Sequence, residues 1–331
     1  MKKFFIIIGI ITVFIIALVV YRVSSAYHEI VIENGSVWNR ITSIFRRDPT
    51  PFPDDANPVP SPIADRLTVL VLGIRGEDDV ADGGLLSDTM LLASLDKKTK
   101  KGFMVSIPRD LWIDMDANLK DGKPFHIAGK INESYARGVE HGQGLSLASQ
   151  LVSRITGVPV DRAILFDFDA FKYTVDMLGG IDITLKEPFS EAKQWENGFS
   201  LPAGANHLDG EKTLYYTRSR YSSSDFDRAR RQQEVISAIK KKAGEQGLLT
   251  NPKLATDLLE KLKDDIRTNI PFWEVPDLLS LAREIDFSVL THGVLTTENL
   301  LTETHNPKGE YILLPQTGDF KSTREYFKTL L

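Results

Sequence analysis

Apolar residues fall into runs whose spacing separates strands from helices along the chain. LTVLVLGI, DTMLLASLD and KGFMVSIP are apolar without strict alternation, which is typical of strands covered on both faces. LSLASQLVSRITG has helical spacing and ends on Gly157, and VDRAILFDF, DAFKYTVDMLGG and IDITL follow as strand, helix and strand. This alternation predicts an α/β fold, with a three-layer α-β-α domain around a central, mostly buried mixed sheet.

The N-terminus predicts one transmembrane helix. Lys2 and Lys3 precede an uncharged run over residues 4–21, which as a helix would be roughly 27 Å long, about the thickness of a bilayer core. The lysines favour a cytoplasmic tail of residues 1–3, with the rest of the chain outside the cytoplasm. A cleaved signal peptide is the alternative, but signal-peptide apolar regions are shorter. We therefore expect a single-pass protein of the cell membrane.

The segment after the predicted anchor separates it from the folded part of the chain. Residues 22–66 comprise a juxtamembrane stretch and a linker that carries six prolines between Pro49 and Pro62. Such a proline-rich stretch favours an extended spacer. The folded extracytoplasmic domain is therefore expected to occupy residues 67–331.

Composition removes several classes of function. The 331 residues contain no cysteine, which excludes disulfides, thiolate metal sites and a cysteine nucleophile. The formal net charge of -5, with arginines that are not interleaved with aromatic residues, argues against nucleic acid as a partner. No P-loop, HExxH, GxSxG or GxGxxG motif is present, and the six histidines lack metal-ligand spacing.

Positive charge is nevertheless concentrated in one short segment, which carries five arginines between Arg218 and Arg231. Its second half, SDFDRARRQQEVISAIKKKAG, predicts a helix that is capped by Ser224 or Asp225. Arg230 points to water, whereas helical spacing puts six residues on the inward stripe: Arg228, Arg231, Gln232, Val235, Ile236 and Ile239.

An inward, unpaired arginine would cost several kcal/mol, so the stripe calls for an anion. If TRSR is extended, Arg218 and Arg220 project to one side near the start of this helix, which itself favours anions. Arginine binds phosphate and pyrophosphate through two parallel hydrogen bonds. The alternatives are that these arginines pair with carboxylates elsewhere or form a solvated helix start.

Residues at the ends of the predicted strands could complete this site. Arg109 follows a buried strand, where ligands of open α/β sheets bind, although a salt bridge to Asp110 or Asp114 is the alternative. Asp88 opens the next buried strand and is a candidate ligand for Mg²⁺ beside phosphates. Further candidate ligands in the preceding acidic loop are Asp78, Asp79 and Asp82, although a solvated role explains Asp78 and Asp79 at least as well.

The motifs SDTMLL, SIPRD, KINESYARG, DMLGGIDITL, LPAGANHLDGEKTLYYTRSR and DFDRARRQQ occur in the order typical of the LytR-CpsA-Psr family. The resemblance spans about residues 67–243. It implies a membrane-anchored phosphotransferase that moves a glycopolymer, such as teichoic acid or capsular polysaccharide, from a polyprenyl-pyrophosphate carrier to peptidoglycan.

The resemblance also implies roles for individual residues. Arg109, Arg218, Arg220 and Arg228 match pyrophosphate-binding arginines, and the RQQ motif matches Arg231, Gln232 and Gln233. Asp225 matches the family's aspartate in this segment, and Asp88 matches its magnesium ligand. Two positions depart from the pattern, because Arg75 stands where the family has an aspartate and Leu86 stands where it has an arginine.

The leading hypothesis is therefore phosphoryl transfer, with Asp225, Arg109 and Arg228 as catalytic residues. The arginines and Gln232 would hold the pyrophosphate, and Mg²⁺ at Asp88 is the expected cofactor. An apolar tunnel for the polyprenyl chain, between sheet and helices, is also expected. Phe166, Phe168, Phe171 and Leu178 are candidate lining, although a plain core explains them equally well. A polyprenyl-pyrophosphate phosphatase and a non-catalytic module that binds or senses lipid-linked precursors are the two alternatives.

Overall fold

The computed structural model describes residues 59–76, 83–119, 124–248, 250, 258 and 260–331. The predicted anchor at residues 4–21 and most of the predicted linker lie outside these ranges. Within the described residues, no helix combines the length and the apolar composition needed to cross a membrane.

The strands are short, at three to eight residues each. In chain order they are β1 (Arg66–Gly73), β2 (Thr89–Asp96), β3 (Gly102–Ser106), β4 (Trp112–Asn118), β5 (Pro124–Lys130), β6 (Arg162–Phe166), β7 (Ile181–Leu185), β8 (Phe189–Glu191), β9 (Phe199–Leu201), β10 (Gly204–Leu208), β11 (Ile266–Thr268), β12 (Thr291–Val294), β13 (Leu301–His305) and β14 (Tyr311–Pro315).

The α-helices occur between these strands and at the end of the chain. They are α1 (Ser134–Val139), α2 (Gly144–Thr156), α3 (Phe168–Met177), α4 (Gly210–Arg218), α5 (Asp225–Glu245), α6 (Val275–Glu284) and α7 (Lys321–Leu330). Gly157 ends α2 as the sequence predicts, with a φ of 71° that favours glycine.

A mixed sheet with the strand order β11-β6-β1-β2-β3-β12 lies at the centre of the described chain. β1 pairs with β6 and β3 pairs with β12 in parallel, whereas β2 lies between β1 and β3 and is antiparallel to both. The α/β fold class and the central mixed sheet are thus confirmed. IDITL forms a strand as predicted, but it pairs with β10 in a separate hairpin rather than joining this sheet.

Helices pack on both faces of the central sheet because successive strand residues point to opposite sides. On one face, Leu92 and Phe103 join a core that includes Leu151 of α2 and Phe327 of α7. On the other face, Leu91 and Met104 pack with Ile285 and Leu290 and with partly buried residues of α5 and α6. The apolar runs without alternation are therefore strands buried on both sides, as their sequence predicts.

The start of α5 is fixed by a capping box. The Ser224 hydroxyl accepts the Asp227 N–H at 3.0 Å, and the Asp227 carboxylate accepts the Ser224 N–H at 3.1 Å. Ser224, rather than Asp225, is therefore the N-cap. This leaves the Asp225 side chain available to interact across the sheet edge, one turn before Arg228.

Candidate functional site

Charged side chains from three separate segments meet at one edge of the central sheet. Arg109 donates to Asp88 at 2.7 Å, and its Nε lies 3.4 Å from Asp110 and 4.0 Å from Asp225. Arg228 donates to the Asp225 carboxylate and to the Asp88 backbone carbonyl, both at 3.0 Å. The structure thus brings together Arg109, Arg228, Asp225 and Asp88, four of the residues that the sequence selects.

Several polar atoms at the centre of this cluster are buried but unsatisfied. Asp225 Oδ1, Arg109 Nε and Arg228 Nε have no hydrogen-bond partner among the described residues. An unsatisfied buried polar atom costs about 1–3 kcal/mol, so such atoms mark positions that a ligand or water fills. The cluster is therefore incomplete as it stands, although its charges are partly matched.

Burial and charge shift the proton affinities of the cluster. Burial raises the pKa of Asp225, because the neighbouring Arg228 and Arg109 offset the cost of desolvation only in part. Burial also lowers the pKa of Arg228 against the attraction of Asp225. For Arg109, burial opposes the charged form, but Asp88, Asp225 and Asp110 together raise its pKa. Asp225 thus has more affinity for a proton than an ordinary aspartate.

Asp110 is a site residue for which the sequence suggested only a salt bridge to Arg109. Lys130 donates to Asp110 at 2.6 Å, so this carboxylate lies between Lys130 and Arg109. Tyr311 lies near Asp110. Burial, followed by the charges of Glu303 and Asp110, raises the pKa of the Tyr311 hydroxyl. β5 and β14, which carry Lys130 and Tyr311, thereby extend the cluster toward solvent. Lys130 begins the KINESYARG motif, but sequence reasoning assigned neither residue a role in the site.

Arg218 and Arg220 differ from the paired arginines. Within the described residues neither forms an ion pair, and Arg218 instead lies 4.3 Å from the Phe168 ring and 5.4 Å from the Trp195 ring. Burial, and then the neighbouring positive charge of Arg75, lower the pKa of Arg218. A half-buried guanidinium next to another cation is stabilised by an anionic ligand.

The loop after α4 is held by two residues that sequence reasoning missed. The Gln194 amide donates to the Arg218 carbonyl at 3.0 Å and accepts the Arg220 N–H at 2.9 Å. Glu191 accepts the Ser222 N–H at 2.9 Å. The predicted extended TRSR is wrong in part, because α4 continues through Arg218 before the chain turns.

Arg231 is buried as predicted, but its donors point to the protein itself. Its three nitrogens donate to the Tyr216 carbonyl at 2.9 Å, to the Ser223 hydroxyl at 3.2 Å and to the Ser219 carbonyl. The guanidinium carbon also lies 5.0 Å from the Phe189 ring. These contacts connect α5 to the end of α4 and to the loop after it. Because all three Arg231 nitrogens donate to the protein itself, we do not include Arg231 in the anion site proposed below.

The two glutamines of the RQQ motif face different surroundings. Gln232 donates weakly to the Thr217 carbonyl at 3.4 Å and lines a small cavity beside Arg218. Gln233 is the more deeply buried and donates to the Ser106 hydroxyl at 2.7 Å and to the Gly293 carbonyl at 2.8 Å. Gln232 thus lies at the site, whereas Gln233 ties α5 to the ends of β3 and β12.

The predicted metal ligands are only partly within the described chain. Asp78, Asp79 and Asp82 lie outside it, and the described residues contain no group of three or more side chains able to hold a metal ion. Asp88 lies at the site with one carboxylate oxygen bound by Arg109. A single carboxylate of this kind fits Mg²⁺ only if substrate phosphates supply further ligands.

The two departures from the family pattern lie at the edge of the site. Arg75 follows β1, its N–H donates to the Gly84 carbonyl at 3.1 Å, and its charge acts on Arg218. Leu86 lies in the turn before β2, where its side chain packs toward Gly83. The position that lacks an aspartate therefore adds positive charge next to Arg218.

An apolar cavity of about 420 Å³ lies between the central sheet and α6. Its lining is almost entirely aliphatic and includes Val71, Leu91, Ile164, Leu278, Leu279 and Leu281. No residue of α6 is buried, although its apolar positions face the cavity. An apolar space of this kind, partly open to solvent, fits a hydrocarbon chain.

The expected tunnel lining is partly wrong. Phe166, Phe168 and Phe171 line a separate cavity of about 40 Å³ next to Arg218, and Leu178 is a buried core residue. Ile236 of α5 lines both this small cavity and the larger apolar one. The two cavities are therefore neighbours that share Ile236 as part of their walls.

Comparison with known proteins identifies the family. The LytR_cpsA_psr family profile matches residues 51–323. The chain belongs to the LytR-CpsA-Psr family. It is 31% identical over 230 residues to the polyisoprenyl-teichoic acid–peptidoglycan teichoic acid transferase TagU of Bacillus licheniformis, covering 69% of this chain and 68% of TagU.

Solved structures of the family share the fold. A structure of TagT bound to LIIa-WTA matches with a TM-score of 0.60 at 24% identity, covering 81% of this chain and 90% of TagT. The crystal structure of B. subtilis TagU matches with a TM-score of 0.56 at 27% identity, covering 81% of this chain and 97% of TagU. Further curated TagT, TagU and TagV relatives are matched over 51–64% of their own length.

Proposed function

We propose that this member of the LytR-CpsA-Psr family is a membrane-anchored phosphotransferase. It would move a glycopolymer from a polyprenyl-pyrophosphate carrier to peptidoglycan. The observation that carries the proposal is Arg218, which has no ion-pair partner among the described residues and lies close enough to a charge cluster with unsatisfied buried atoms for the Asp88 charge to act on it. The names of the relatives, which are transferases of teichoic acid to peptidoglycan, support the same class of substrate.

The reaction we propose is an in-line displacement at phosphorus. A hydroxyl oxygen of the acceptor forms a bond to the phosphorus that carries the glycopolymer. The bond from this phosphorus to the bridging oxygen breaks, and polyprenyl phosphate leaves with the bonding electrons. The hydroxyl proton passes to Asp225, so the glycopolymer ends in a phosphodiester to the acceptor. The pyrophosphate bond of the donor supplies the driving force.

Each charged residue has a distinct role in this step. Arg218 and Arg220 bind the pyrophosphate, and Arg109 and Arg228 stabilise the negative charge that develops on the phosphoryl oxygens. The raised pKa of Asp225 makes it a stronger base than an ordinary aspartate, and Arg228 orients its carboxylate. Mg²⁺, held by Asp88 and the phosphate oxygens, would neutralise further charge on the donor.

The carrier lipid gives the apolar cavity beneath α6 a role. Its aliphatic lining would bury prenyl units whose transfer from water is favourable by about 0.8 kcal/mol for each CH₂-sized group. The anchor predicted at residues 4–21 would keep the enzyme on the membrane surface where the donor resides. The protein would thus sit on the outer face of the cell membrane.

Product analysis with a labelled lipid-linked donor tests this proposal. With peptidoglycan present, the wild type should transfer label to the insoluble wall fraction. Arg218→Ala should lower the rate about 10²- to 10³-fold, because a preorganised donor to the phosphates is lost. Asp225→Asn should lower it about 10²-fold while donor binding persists. Arg230→Ala is the matched control, because Arg230 is exposed and pairs with Asp227 at the surface.

Other products would contradict the proposal in defined ways. Release of free polymer in the presence of peptidoglycan would identify a phosphatase. Retention of intact donor by the wild type, with no turnover, would identify a binding module instead.

A further inference from the structure

A second open depression lies between α3 and α4, apart from the arginine cluster. It has a volume of about 750 Å³. Its walls carry two tyrosines and several carboxylates, chiefly Asp169, Tyr173, Asp176, Glu211, Tyr215 and Asp265. We call this feature the α3–α4 groove.

The α3–α4 groove lies next to the anion site. Leu214 lines both the groove and the small cavity next to Arg218. On the groove wall, the Tyr215 ring stacks on Trp195 at 4.3 Å between ring centroids, and Trp195 in turn lies 5.4 Å from the Arg218 guanidinium carbon. An aromatic surface therefore runs from the groove to the arginine that binds the donor.

The side chains of the groove match a sugar. Exposed aromatic rings such as Tyr173, which is 37% exposed, pack against the C–H faces of pyranose rings. Carboxylates accept hydrogen bonds from hydroxyl groups and have four lone-pair sites each. Two of them are already held in place, because Asp176 accepts the Gly210 N–H at 2.7 Å and Glu211 accepts the Tyr215 hydroxyl at 2.8 Å. Each keeps a second oxygen for a ligand.

The charge of the groove selects against phosphate-bearing polymers. Among the described residues of its walls, the four carboxylates outnumber Lys172 and Lys261: Asp169, Asp176, Glu211 and Asp265. Lys172 is moreover paired with Asp169 at 2.7 Å. An anionic chain would be repelled by this surface, whereas an uncharged or amine-bearing saccharide would not.

We propose that the α3–α4 groove binds the acceptor glycan, a polyhydroxylated and non-anionic saccharide chain. This inference rests on the proposed transferase function and assigns the acceptor a place that is distinct from the donor's. A chain bound along Tyr215 and Trp195 would reach the anion site at Arg218, where its hydroxyl meets the pyrophosphate.

Direct binding of an uncharged probe tests the groove. The probe is a tetramer of N-acetylglucosamine, titrated by NMR into the wild type, Tyr173→Ala, Tyr215→Ala and Glu211→Gln. The two tyrosine variants should weaken binding about tenfold. Trp273→Ala is the control, because Trp273 is an aromatic residue of 57% exposure that lies outside the groove. Equal binding by the wild type and both tyrosine variants would overturn the inference.

Kinetics separate the failure of this inference from that of the proposed function. In the transfer reaction, Tyr173→Ala should raise KM for the acceptor about tenfold with the affinity for donor pyrophosphate unchanged. Because Tyr173 is exposed, the variant should fold, and circular dichroism checks this. If the wild type transfers normally and both Tyr173→Ala and Tyr215→Ala leave the KM for the acceptor unchanged, the acceptor role of the groove is refuted while the proposed function stands. Binding of a teichoic acid oligomer that Tyr173→Ala weakens as much as it weakens binding of the neutral tetramer would also refute it.

Discussion

Arg228 and Arg231 lie on the same buried stripe of α5, yet their surroundings give them different functions. Arg228 shares Asp225 with Arg109 and keeps a buried nitrogen unsatisfied. All three nitrogens of Arg231 donate hydrogen bonds, to the Tyr216 and Ser219 carbonyls and to the Ser223 hydroxyl. Helical spacing predicts which residues face inward, but it does not predict which hydrogen-bond acceptors other segments place around them. The burial of both arginines was therefore predictable, and the division of their roles was not.

Arg231→Gln should destabilise the fold rather than the site. The substitution leaves buried carbonyls without donors, so the free energy of unfolding should fall by about 3 kcal/mol. Urea unfolding followed by circular dichroism measures this. Arg230→Gln, at an exposed position of the same helix, should stay within about 0.5 kcal/mol of the wild type. A stable Arg231→Gln protein with lost donor affinity would instead place Arg231 in the anion site.

At the scale of elements, the start of α3 contains an aspartate whose charged form is disfavoured in the folded protein. Asp167 is the N-cap and accepts the N–H groups of Asp169 and Ala170 at 2.9 and 2.8 Å. Burial, opposed by these bonds and reinforced by the charge of Asp265, raises its pKa from 3.8 to about 6. The folded protein therefore favours the protonated form of Asp167. The stability that this form contributes is fully present below about pH 4 and is lost as the pH rises through about 6.

Asp167→Asn should therefore stabilise the protein at high pH. Asparagine keeps the cap without the charge. At pH 8 the free energy of unfolding should rise by about 1 kcal/mol, after allowance for solvent screening of a half-exposed group. The gain should shrink through pH 6 and be gone at pH 4, as thermal unfolding at a series of pH values can measure. A gain that does not depend on pH would contradict the predicted titration of Asp167.

The elements themselves were predicted with uneven success for physical reasons. Apolar runs without alternation identified β1, β2 and β3, because a strand buried on both faces must be apolar throughout. The same rule could not tell that β7 and β14 pair in separate hairpins, since pairing depends on distant residues. α6 was not singled out from the sequence, although its apolar positions have helical spacing and face the cavity between α6 and the sheet.

At the scale of the whole molecule, three surfaces of different chemistry are neighbours, because the small cavity beside Arg218 shares Ile236 with the aliphatic cavity beneath α6 and Leu214 with the α3–α4 groove. Under the two proposals, these surfaces would take the prenyl chain of the donor, its pyrophosphate and the acceptor glycan. The motifs alone predicted the central arginines, whereas both flanking surfaces needed the packing of helices far apart in sequence.

The most direct test of this account is a crystal structure of the protein with a polyprenyl pyrophosphate. The phosphates should lie within hydrogen-bonding distance of Arg218 and Arg220, with the prenyl chain in the aliphatic cavity beneath α6. Phosphates that bind elsewhere, while Arg218 and Arg220 remain without an anion, would contradict the account at its centre.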